Sequence, residues 1–174
     1  MSKRTFSLEE CKIQASILLK NLQSPDSKAS QMAMSRFHEF SLIKDLELLT
    51  ANEYQLKHCL QVIAFEYGFD SYNGLKFYFT DTINTQLPSG GGFLHKWFNN
   101  YKEAKANFSA INEFLFPHKN HFFIASSGYI DYIAIDINNP DWANIRNNWV
   151  EPKDLEAWRR LNWQLNKKVG VQNG

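Results

Sequence analysis

Four residues in the second half of the sequence, His95, His121, Asp131 and Asp141, carry side chains from which a small hydrolase can be built. An imidazole and a carboxylate divide acid and base duties when their surroundings drive their pKa values apart. Asp131, Asp136 and Asp141 recur at intervals of five around an apolar run. Asp141 suits a helix N-terminus and Asp136 suits a turn, so Asp131, lying between Ile130 and Tyr132, has the least structural reason for its place. His95, His118 and His121 also raise a zinc site with one position open to water. Their spacing argues against it. His118 and His121 stand three apart across an expected turn, where side chains need not converge as those of an i, i+4 helical pair do. The reading is therefore no metal and no cofactor. Three consecutive glycines at Gly90-Gly91-Gly92 lack the strand before and the Lys-Ser/Thr after that a phosphate loop requires. They read as a linker or hinge, with a flap over a pocket as the alternative.

A second set is aromatic. The chain carries 14 Phe, 7 Tyr and 5 Trp, and every tryptophan falls after residue 96. Trp97, Tyr101, Trp142 and Trp149, with Arg146, are the residues of an expected ligand-binding groove, since Trp and Tyr supply binding hot spots. Core packing of Trp97, Trp142, Trp149 and Trp158 is the competing expectation, with Trp163 exposed. Bases interleave with these rings, as they do on platforms that stack nucleic-acid bases. The electrostatic footprint is missing, because residues 88–174 hold 10 Lys+Arg against 8 Asp+Glu. The partner expected is thus an unidentified protein or small molecule rather than nucleic acid, with homo-oligomerisation left open.

Periodicity supplies the elements that must position these residues. Ser7 and Glu10 have capping-box spacing, and Leu8, Cys11, Ala15, Leu18 and Leu22 form one helical stripe behind them. Ser24-Pro25 opens a second helix carrying Ala29, Met32, Ala33, Arg36, Phe37 and Phe40, and a third, with Leu56, Cys59, Leu60, Ile63, Ala64 and Tyr67 inward, runs from about Asn52 to a left-handed Gly68. Asp70 or Ser71 caps a short fourth. Beyond residue 92, Asn100 caps a helix from Tyr101 to about Ile111. Glu113 to Ile124 reads as a β-hairpin around a Pro-bearing turn. Gly128 to Ile137 is ambiguous between strand and helix. Asn139-Pro140-Asp141 opens a short helix, and Glu151-Pro152 opens the last one. The fold class expected is α+β and predominantly α-helical. It comprises a helical lobe over 1–87, a Pro/Gly linker over 88–92 and a mixed lobe over 93–174 with one hairpin, and the size also allows one compact unit.

Composition excludes several classes. With 174 residues, 44% hydrophobic and 21% charged residues and a net charge of +1, the chain is neither a disordered polyelectrolyte nor a membrane-spanning protein. Met1 to Phe6 is followed by no apolar stretch of signal-peptide length, so a cytoplasmic location is expected. Cys11 and Cys59 sit on helical stripes and read as buried thiols in a reducing compartment.

Two stretches carry a family resemblance. LKHCLQVIAFEYGFDSYNGLK (56–76) resembles a segment of the form LKHALxVIAxExGFxSWxxLK found in bacterial proteins without an assigned reaction, some labelled glyoxalase-related. Tyr72 stands where that pattern has tryptophan. LHKWFNNYKEAKA (94–106) and NPDWANIRNNWVEPKDLEAW (139–158) resemble the LNxWFxxYEEA and DPDWxxIGxDW stretches of the same family, with Arg146 where the pattern has glycine and Asn148 where it has aspartate. The resemblance implies kinship over roughly residues 5–165 and no particular catalytic residue. Glyoxalase chemistry needs a His and Glu/Gln metal site on strand-rich modules, which this sequence does not foreshadow. The function expected is a binding or protein-interaction module with an aromatic groove in the C-terminal half. The alternative is a small hydrolase with an Asp/His site between the lobes.

Overall fold

The computed structural model describes residues 6–39, 53–85, 87 and 95–172, and the chain divides into two compact units between Leu75 and Lys76. The linker expected at 88–92 lies outside the described residues. Eight α-helices and one three-stranded antiparallel sheet are present among the described residues, which makes the chain α+β and mainly helical as expected.

In the first unit, α1 (Leu8–Leu22) begins where the Ser7 hydroxyl accepts from the Glu10 N–H at 3.2 Å. Its buried residues are Cys11, Ala15, Leu18 and Leu22, the stripe that the spacing predicts except that Leu8, in the first turn, is only partly covered. Helix α2 (Ser27–His38) is capped by Asp26 rather than opened by Ser24-Pro25, because the Asp26 carboxylate accepts from the Lys28 N–H. Helix α3 (Leu56–Glu66) buries Cys59, Val62, Ile63 and Ala64. Gly68 then takes φ 91°, and its N–H and that of Phe69 bond back to Phe65 and Ala64, closing the helix as expected of a glycine there. A half-exposed Arg36–Glu66 pair, bidentate at 2.6 Å on both arms, ties α2 to α3. Cys11 and Cys59 are buried as read, and desolvation raises each thiol to about 11, which leaves them protonated and inert. Helix α4 (Tyr72–Thr80) starts with the Ser71 hydroxyl accepting from the Gly74 N–H.

The second unit is built on the sheet β1 (Lys96–Phe98), β3 (His121–Ser126) and β2 (Glu113–His118), in that spatial order. The hairpin is where it was expected, and β1 adds a third strand that the sequence reading did not anticipate. Pro117 lies inside β2 instead of in the turn, which is Lys119-Asn120. Alternation explains why a proline is tolerated. The N–H and C=O of Leu115 point away from β3, toward Asn147 and Trp149 at 2.9 Å each. Pro117, two residues on, therefore also faces outward, and its missing N–H costs the hairpin ladder nothing.

One face of the sheet presents Phe114, Phe116, Phe123 and Ala125 to a core formed with Tyr129, Ile130, Trp142, Ile145, Trp149, Trp158, Leu161 and Leu165. The opposite face places Phe122 against Tyr78 and against Tyr101 of α5 (Tyr101–Asn107). Asn100 caps α5 as expected, but the helix stops at Asn107 and leaves Ile111 exposed. The ambiguous 128–137 segment begins as α6 (Ser127–Tyr132). Asn139 accepts from the Asp141 N–H at the start of α7 (Asp141–Asn144). The last helix, α8 (Leu155–Gln172), is opened by Asp154, whose carboxylate accepts from the Glu156 and Ala157 N–H groups. Glu151, expected at that start, instead accepts from Tyr101 Oη and Lys105 Nζ.

Candidate functional site

The surface of the second unit carries a band of rings that runs from the hairpin end across the β1 edge of the sheet to α6. Its centre is Trp97, the middle residue of β1. Strand β1 is an edge, so only β3 lies beside it in the sheet, while the far side of β2 is covered by the 147–149 segment through the Leu115 bonds. Register places Trp97 opposite Phe123, which is opposite Phe116, so the three rings share one face. Phe116 and Phe123 are buried, and Trp97 is 52% exposed. The indole lies 5.0 Å from the Phe123 ring at a shallow 35°, and two imidazoles stand steeply beside it, His118 at 5.6 Å and His95 at 6.2 Å.

His95 continues the band inward, 4.8 Å from Phe123 and 5.0 Å from Tyr129. Burial among these rings lowers its pKa below the ordinary histidine value, which keeps the imidazole neutral at pH 7. Tyr129 is buried, with its phenol pushed up by desolvation, and Tyr132, one helical turn later on α6, is exposed beside it at 6.2 Å. Trp97 and Tyr132 thus mark two accessible ends of one aromatic layer whose middle is fixed by the core.

The residues that the sequence offers to hydrolysis occupy different settings. His95 belongs to the ring band. His121 is exposed at the hairpin end, directly across from His118. Asp131 is exposed on α6. Asp141 is buried at the start of α7 and held by Arg160 of α8, whose Nε and Nη2 donate to its two oxygens. That pairing, opposed by burial and aided by Arg160's charge and a long bond from Asn144, keeps the Asp141 carboxyl below its usual range. An anion so held is a structural link between α7 and α8, poorly suited to accept and return a proton. No three His, Cys, Asp or Glu side chains are gathered as a metal cluster among the described residues.

The five groove candidates also separate. Trp97 is at the surface, and Arg146 is exposed on a turn. Trp142 and Trp149 are in the core instead, and each indole N–H is used there: Trp142 donates to the Asp136 carbonyl and Trp149 to Thr85 Oγ1 at 3.1 Å. Tyr101 is buried as well. Its hydroxyl accepts from Asn148 Nδ2 at 2.8 Å and donates to Glu151, in a network that fixes the segment after α7.

Two members of the band escaped the sequence reading. Tyr132 was hidden by the unresolved period of residues 128–137. His118 is weighed in the sequence only as a metal ligand, and the run Lys119-Asn120 between two β-prone stretches is the signal for the tight turn that sets it at the hairpin end. No protein-family model matches the chain, and none of the curated proteins or solved structures compared with it does either.

Proposed function

We propose that this protein is a binding module whose principal contact residue is Trp97, with Tyr132 at the other end of the ring band. The observation that carries the reading is the half-exposed indole on the edge strand β1, lying at a tilt against a buried core ring. A large side chain held in place loses little conformational freedom on binding, which is why Trp and Tyr dominate interface energetics. Trp163 of α8, more exposed at 63%, has no ring packed against it among the described residues and carries the Lys167 ammonium 5.1 Å from its ring centre. It serves as the internal control. The hydrolytic alternative gains no comparable support, because Asp141 is committed to Arg160 and Asp131 and His121 stand at separate exposed positions.

The test compares wild type with Trp97→Ala and Trp163→Ala in two measurements, a thermal-shift screen of a small-molecule panel and co-purification from native lysate. A compound shift or retained protein that Trp97→Ala loses and Trp163→Ala keeps supports the reading. Binding unaffected by Trp97→Ala, or no shift and no specific capture with wild type, overturns it.

A further inference from the structure

We infer that the tip of the β2–β3 hairpin is a two-histidine site for a divalent transition-metal ion, with His118 and His121 as its protein ligands. The inference is independent of the binding role given to Trp97.

The argument starts from the register. His118 and His121 are Cα partners in the last pair before the Lys119-Asn120 turn. The outward-facing Leu115 fixes the alternation, which makes Leu115 and Pro117 members of the wide pairs and His118–His121 a directly hydrogen-bonded pair, as Phe116–Phe123 is. Residues paired in this way have Cα atoms about 5.5 Å apart and side chains on one face. Imidazoles springing from such a pair can bring one nitrogen each within about 2.0 Å of a common ion. Three-residue separation in sequence, which argued against convergence, becomes direct cross-strand opposition once the turn is this tight.

The surroundings suit a ligand-exchanging site. His121 is exposed and His118 half-buried, so water can complete the coordination that two nitrogens leave unfilled. Neutral imidazole favours copper(II), nickel(II) and zinc over magnesium and calcium, which select oxygen. Trp97 lies 5.6 Å from the His118 ring, close enough for its emission to report a bound copper ion. An ammonium has no lone pair to offer, and that of Lys96 is also engaged by Glu113 at 2.7 Å, so neither Lys96 nor Lys119 in the turn supplies a competing ligand.

The experiment is calorimetric titration of the untagged full chain with copper(II) chloride, zinc chloride and magnesium chloride, followed in parallel by tryptophan emission. The expected result is one copper site, a weaker zinc site at the same place and no magnesium binding. His118→Asn and His121→Asn each weaken copper binding by at least about tenfold, while His38→Asn, on another element, leaves it unchanged. Trp97→Phe keeps the binding and loses most of the copper-dependent quenching. His121 is exposed, so His121→Asn is expected to keep the wild-type melting temperature and decides the matter alone if His118→Asn does not fold. Copper binding that survives His121→Asn, or wild-type affinity no better than that of a variant carrying both His118→Asn and His121→Asn, overturns the inference.

Discussion

Arg160 reaches from α8 to Asp141 at the first turn of α7 and holds it by two parallel hydrogen bonds, Nε to Oδ2 at 2.9 Å and Nη2 to Oδ1 at 2.6 Å. The carboxylate side is almost enclosed, at 10% exposure, and the guanidinium side is open to water at 56%. This fork geometry makes the pair directional as well as charged. It positions the short helix that carries Trp142 against the helix that carries Trp158, so both tryptophans enter the same core.

The pair predicts an acid-side loss of stability. Because Arg160 holds the Asp141 carboxyl below its usual range, the folded protein resists protonation that the unfolded chain accepts at about pH 3.9. The contribution is therefore complete above that pH and disappears as pH falls through the lower folded value. Wild type is expected to lose melting temperature more steeply below about pH 4 than Asp141→Asn does. At neutral pH Asp141→Asn melts lower than wild type, since one arm of the fork is lost and the charge attraction with it. Thermal melts from neutral pH down to about pH 2.5 check both statements, and parallel curves would show that the pair contributes nothing.

What the sequence made legible follows from what is local. The Ser7 cap, the Cys11 to Leu22 stripe, the Gly68 terminus and the Asn100 cap each depend on residues within one or two turns, and each is found as read. Helix starts at Asp26 and Asp154 were missed by a residue or more because proline and a capping acid compete for the same short segment, and the side-chain bond decides. Strand β1 was invisible for a different reason. Three residues, Lys96 to Phe98, carry no periodicity of their own and become a strand only by pairing with β3. The site suffered from the same limit. Exposure separates Trp97 from Trp142 and Trp149, and exposure is set by long-range packing that no spacing of tryptophans encodes.

Trp149 is the residue whose loss should be felt most. It is fully buried, with Phe116, Trp142 and Trp158 rings at 5.6, 5.7 and 5.6 Å. Trp149→Ala is expected to destabilise by about 3–5 kcal/mol, the usual cost of emptying a large aromatic site. Trp163→Ala, at the surface, should stay within about 0.5 kcal/mol of wild type. The indole N–H bond to Thr85 Oγ1 adds a separable part. Trp149→Phe and Thr85→Val should therefore be less than additive, with a coupling of about 1 kcal/mol in a double-mutant cycle. Urea denaturation of the four proteins measures it, and strict additivity would remove the bond from the account.

Arg146 offers the opposite change, a stabilising one. Its φ is 56°, and Asn147 follows at 53°, so two non-glycine residues in succession occupy the left-handed region. The turn they make brings Asn147 O to the Leu115 N–H and the Trp149 N–H to the Leu115 carbonyl, which closes the outer edge of β2. Asn147 tolerates this conformation and gains a bond from its Nδ2 to the Ala110 carbonyl at 2.9 Å. Arg146 is exposed and has no hydrogen bond or ion pair of its side chain among the described residues, so it bears the backbone cost without compensation. That cost is about 1–2 kcal/mol for a residue with a Cβ, while glycine in the unfolded chain returns about 0.5–1 kcal/mol of it as extra entropy. Arg146→Gly is thus expected to raise stability by about 0.5–1 kcal/mol and to raise the melting temperature by a few degrees. Asn147→Gly, which also removes the Ala110 bond, should give no such gain. A melting temperature for Arg146→Gly at or below that of wild type would mean that the turn is not held left-handed in solution.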